Sequence, residues 1–76
     1  MKALVLSADN FEDTELLVPY YRLKEAGYSV DVASLKTGPI HGKHGYEVQA
    51  NKTFGDIDPD DYERYVVAGW ILPSLN

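Results

Sequence analysis

Glu12, Asp13 and Glu15 form an acidic cluster behind a short apolar run, and of the three Glu12 falls beside the carboxyl end of that run, where ligands and chemistry collect in open α/β sheets. A carboxylate between the end of a strand and the start of a helix can orient a nucleophile or hold a proton beside it. The same position has a plainer explanation. An acid in the first helical turn stabilises the helix through its dipole by about 0.3–1 kcal/mol. Asp9 and Asn10 could also meet a ligand at the strand end, but turn and cap duties account for them. His41 and His44 stand three apart in a glycine-rich loop. Two histidines without a third close ligand make a weak metal site, so they read as neutral loop residues. Gly42 and Gly45 are not a phosphate loop, because no Gly-Lys-Ser/Thr follows them and no helix opens there. No metal and no cofactor is expected.

The elements that must position Glu12 follow from the surrounding pattern. Ala3 to Leu6 is a continuous apolar run, as suits a strand buried on both faces of a parallel sheet, with boundaries near 2–7. Asn10 reads as an N-cap with Asp13 reaching back, much as in a capping box. Leu16, Tyr20 and Leu23 recur at helical spacing and Gly27 is a natural stop, which predicts one helix near 12–26, bent at Pro19. Tyr28–Ser34 alternates and predicts a second strand, parallel to the first. Three glycines and a proline in Thr37–Gly45 suggest a small hairpin near 37–49, returning through Tyr46–Gln49. Asp58 followed by Pro59 predicts a capped single helical turn. Tyr65–Ala68 then supplies a third core strand, near 64–68. Three strands with one full helix leave much of one sheet face bare, so either a partner covers it or the chain is a fragment. Trp70, Ile71 and Leu72 form an apolar end that suits self-association or marks damage.

Composition narrows the classes. Seventy-six residues make one domain at most, and one of marginal stability. With no cysteine there is no disulfide framework and no thiol nucleophile within these residues. The net charge of −5 and the scattered seven Lys and Arg argue against nucleic acid. The apolar runs fall far short of the roughly 18 residues a membrane span requires. A cytoplasmic α/β protein is the simplest class.

Five stretches then carry a family resemblance: Lys2–Asp13, Glu15–Gly27, Val30–Ser34, Gly42-Lys-His-Gly-Tyr46 and Asp58-Pro-Asp-Asp-Tyr62. Together they resemble the N-terminal part of the DJ-1/PfpI superfamily, and within it the PfpI-type intracellular proteases. The resemblance implies a truncated flavodoxin-like three-layer sandwich and a cysteine-based site. It implies that Glu12 is the carboxylate that hydrogen-bonds the catalytic cysteine, which would lie beyond residue 76. Gly69 would be what remains of a Gly-Gly turn that helps hold the oxyanion. Family members are described as peptidases, glyoxalases, protein deglycases or stress chaperones, and they assemble as dimers and hexamers. A homo-oligomer or a complementing chain is therefore the expected partner. Residues 1–69 carry the resemblance, while Trp70-Ile-Leu-Pro-Ser-Leu-Asn76 departs from it, with Ser74 where the family has an acid. That change reads as a frameshift, a premature stop or a truncation. On its own the chain is expected to be inactive, with a non-enzymatic oligomerising or partner-binding module as the alternative.

Overall fold

Lys2–Leu6 (β1) is a strand whose Ala3, Leu4 and Val5 are fully buried, as a central strand covered on both faces should be. The computed structural model describes residues 1–74. Asp13–Glu25 (α1) follows as one continuous helix with Pro19 inside it, and Ser29–Ser34 (β2) pairs parallel to β1, with Val5 opposite Val32. Gly38–His41 (β3) and Glu47–Ala50 (β4) make a separate antiparallel hairpin. Lys52–Thr53 (β5), Arg64–Val67 (β6) and Trp70–Leu72 (β7) complete the main sheet, whose order is β5-β2-β1-β6-β7. All of its pairings are parallel except β6 with β7. The expected α/β architecture is present, with β1 at its centre.

Each face of the sheet has its own core. Ala3, Val5, Val32 and Val66 point to one side, where Leu16 and Leu23 of α1 and Ile40 and Val48 of the hairpin cover them. Leu4, Ala33 and, from β6, Tyr65 point to the other, where Tyr62 packs against them with Ile57 at the margin. The expectation of a bare second face is therefore corrected. The segment between β5 and β6 folds back as two short 3-10 turns, Phe54–Asp56 and Pro59–Asp61, and lays its aromatic end on the sheet. The predicted cap at Asp58 is present, its Oδ1 accepting from the Asp60 N–H at 3.0 Å.

A polar network holds that cover in place. Tyr62 Oη donates to Asp31 Oδ2 at 2.7 Å and Asn51 Nδ2 donates to Asp31 Oδ1 at 2.9 Å. Asn51 Oδ1 in turn accepts from the Val32 N–H at 2.7 Å. Burial works to raise the Asp31 pKa, but these two donors, with Lys2 and Lys52 nearby, hold it below the ordinary carboxylate value. The Tyr62 hydroxyl is pushed well up, by burial first and then by the carboxylate it serves.

The helix entrance differs from the expected capping box. Asn10 has φ 64°, a left-handed turn conformation, and the N-cap is Glu12, which makes no side-chain cap bond. An N-cap residue needs extended backbone, which Asn10 lacks and Glu12 has. Asp13 does not reach back, because its carboxylate is engaged elsewhere. No described helix is long and apolar enough to cross a membrane.

Candidate functional site

Parallel strands that diverge on either side of β1 leave a crevice beyond their carboxyl ends, and β2 and β6 flank β1 in this way. An open cleft of about 130 Å³ lies there. Leu6 and Ser7 at the end of β1, Phe11, Glu12 and Glu15 at the helix entrance, and Ala68 past β6 line it. Glu12 thus stands where the strand-turn-helix pattern predicted. Its side chain is partly exposed, and Oε2 lies 3.2 Å from Lys43 Nζ.

Lys43 comes from the β3–β4 turn, which is stitched to the loop carrying Glu12. The Asn10 N–H donates to the His41 carbonyl at 2.6 Å, and the Lys43 N–H donates to the Phe11 carbonyl at 2.9 Å. Asp9 Oδ1 accepts from the His41 N–H at 3.0 Å. The anchor of this seam is Asp13, which is almost fully buried. Its Oδ1 accepts from the His44 N–H at 3.0 Å and lies 3.4 Å from His44 Nδ1. Burial alone would raise the Asp13 pKa. The backbone N–H and ring of His44 and the Tyr46 N–H outweigh it and hold the carboxyl below its ordinary value. Gly42 is required at this seam, since any Cβ there would overlap the Asp13 carboxylate. Asp13, which the sequence offered as a helix-capping acid, is therefore the residue that ties the hairpin turn to the helix entrance.

Gly69 sits across the cleft mouth, in the turn that joins β6 to β7. Ala68 (φ 49°) and Gly69 (φ 86°) are both left-handed, and a Cβ on Gly69 would lie 3.3 Å from Glu15 Cγ. Glu12 and Gly69 therefore belong to one edge of the sheet, with Glu15 between them.

The two histidines do not converge. His41 Nε2 lies 3.2 Å from Glu47 Oε1 and its Nδ1 lies 3.8 Å from Asp9, whereas His44 turns to Asp13. Among the described residues no cluster of three or more His, Cys, Asp or Glu is arranged to hold a metal ion. A second, wider hollow of about 430 Å³, which the sequence did not suggest, opens between the β1–α1 and β2–β3 loops beside Asp9, Ser34, Lys36 and Thr37. Lys43 was also missed, as was the contact of Asp13 with His44. Their significance depends on a contact across some thirty residues, which no local pattern carries.

Comparison with known proteins bears on the whole arrangement. The sequence pattern of the DJ-1/PfpI family matches residues 1–74. A deglycase of Pyrococcus abyssi is 51% identical over 74 residues, covering 97% of this chain and 45% of that protein. The PfpI deglycase of Pyrococcus furiosus is 49% identical, with the same 97% and 45% covered. In crystal structures, a ThiJ/PfpI domain protein from Brachyspira murdochii superposes with a TM-score of 0.75 at 27% identity, over 83% of this chain and 36% of that one. The chain spans a little under half the length of the curated relatives it matches. On the pattern match, the identity and the shared fold, the chain belongs to the DJ-1/PfpI family.

Proposed function

We propose that this chain carries the N-terminal half of a PfpI-like cysteine hydrolase of the peptidase, protein deglycase or glyoxalase type. In this reading Glu12 is the carboxylate that would stand beside the nucleophilic thiol. The observation that carries it is the placement of Glu12 in a cleft at the carboxyl edge of the parallel sheet. Nucleophilic catalysis needs the nucleophile, a proton partner and oxyanion donors together. These 76 residues hold no cysteine, so the chain by itself supplies the carboxylate and one wall of the pocket. Gly69, at the mouth of the same cleft, is what remains of the oxyanion turn. The cysteine-free composition also favours a cytoplasmic setting, and no cofactor enters the reading.

The chain alone is expected to show no peptidase, deglycase or glyoxalase turnover, and turnover abolished by Glu12→Ala would overturn that. The positive test joins residues 1–69 to the remaining part of the Pyrococcus abyssi relative. The chimera should turn over substrate through a thiol, and Glu12→Gln should reduce the rate by about 10²–10⁴-fold. A folded, active chimera indifferent to Glu12→Gln would refute the assignment. A second reading, a non-enzymatic module that associates with itself or another chain, is favoured by the exposed Trp70.

A further inference from the structure

We propose that the hollow between the β1–α1 and β2–β3 loops binds a small aliphatic zwitterion, a free α-amino acid or a short peptide whose ammonium and carboxylate are both held. The inference is independent of Glu12 and of any catalytic role. The hollow, of about 430 Å³, lies on the β2 side of β1, whereas the cleft at Glu12 opens on the β6 side. Its volume falls within the roughly 300–1,000 Å³ of small-molecule pockets. Residues from 8–9 and 34–40 line it, on the side of the sheet away from β7. Its walls are already joined. The Asn10 N–H donates to the His41 carbonyl and the His41 N–H donates to Asp9 Oδ1 at 3.0 Å, so the end of β3 holds the β1–α1 loop in place.

Four polar side chains line the hollow with bonding capacity to spare. Asp9 gives one oxygen to the His41 N–H, and its Oδ2 has no partner among the described residues. The Lys36 ammonium likewise makes no ion pair or hydrogen bond among them. Ser34 is only 3% exposed, yet its hydroxyl is neither bonded to a described residue nor sealed from solvent. Thr37 adds a second hydroxyl from the loop that carries Lys36. Leu35 and Pro39 supply apolar surface beside them.

Charge decides the class of ligand. Asp9 and Lys36 border one hollow without pairing with each other. A simple anion is repelled by Asp9 and a simple cation by Lys36, whereas a zwitterion can satisfy both. Its carboxylate accepts from Lys36 and from the Ser34 and Thr37 hydroxyls, and its ammonium donates to Asp9 Oδ2. No aromatic side chain lines the hollow and no helix opens into it, which disfavours a nucleotide. Leu35 and Pro39 suit an aliphatic side chain instead. Asp9 and Lys36 are both exposed, so their charges are screened and a dissociation constant of about 1 mM is expected.

Titration of the isotope-labelled 76-residue chain with L-leucine and with glycyl-L-leucine, followed by amide chemical shifts, tests the proposal. Saturable shifts are expected at Asp9 and Ser34–Thr37, with Glu12 and Ala68 unmoved. Binding of either ligand there supports the site, and the tighter of the two tells a free amino acid from a peptide. N-acetyl-L-leucine lacks the ammonium and L-leucinamide lacks the carboxylate, so each should bind at least about tenfold more weakly than L-leucine. Lys36→Gln should weaken the better ligand by a similar factor while circular dichroism stays unchanged. The two analogues, used on the unsubstituted chain, keep the test decisive should the variant misfold. Shifts that fail to saturate by tens of millimolar, saturable shifts confined to the Glu12 cleft, or an analogue that binds as tightly as its parent would each overturn the proposal.

Discussion

Asp13 shows how a single buried charge can fix the position of a site it does not enter. Its Oδ1 accepts from the His44 N–H, and its folded pKa lies below the ordinary value. A group depressed in this way stabilises the fold above its unfolded pKa of about 4 and loses that contribution as pH falls through the lower folded value. The urea midpoint should therefore drop between pH 7 and pH 3. In Asp13→Asn it should start lower and respond less to acid. Gly42→Ala attacks the same seam sterically and should cost about 1–3 kcal/mol, measured as a reduced urea midpoint at neutral pH. Adding Asp13→Ala to it should return part of that loss, because the overlap then disappears. None of this was legible in the sequence. Asp13 stands in a first helical turn, where dipole and capping explain any acid, and only the fold brings His44 to it.

At the scale of elements, β1, α1, β2 and β6 were legible because each carries its own periodicity. The apolar run of β1, the stripe Leu16–Tyr20–Leu23 and the alternation before Ser34 are local signals, and their limits shifted by a residue or two. β5 and β7 were not. A Lys-Thr pair is too short to show any period, and β7 depends on Ala68 accepting a left-handed conformation in a turn that favours Asn-Gly. The cover of the second face escaped for a different reason. Tyr62 follows the short turn at Asp58–Pro59 and carries no periodic signal, and only the fold brings its hydroxyl to Asp31. Tyr62→Phe should keep the ring packing, lose the hydroxyl bond and lower stability by about 1 kcal/mol in urea unfolding. Asp31→Ala should cost more, since it also strands Asn51 and the Tyr62 hydroxyl.

The whole molecule is small for two cores. Leu4 is fully buried beside Tyr65 in the centre of the sheet. Leu4→Ala should remove about 2–5 kcal/mol, enough to leave a domain of this size largely unfolded by circular dichroism at room temperature. The candidate site was half legible at this scale. The strand-turn-helix grammar pointed to Glu12 and to the sheet edge at which the cleft opens. The second wall, Lys43 and the hairpin turn, belongs to a separate two-stranded unit that the pattern could not dock.

The central strand is made first and completed last. β1 meets β2 after one helix, but its other side waits for residues 64–67. While the chain emerges from the ribosome, β1, α1 and β2 are available early, with one ladder of β1 still open and Leu4 lacking Tyr65. A contact between residues 3 and 64 spans most of the chain, and such remote closure slows folding relative to helical proteins of equal size. Synthesis of β6 is then the moment at which the second core, Leu4 and Ala33 with Tyr62 and Tyr65, can close, and an open β1 edge is exposed to misassociation until that moment.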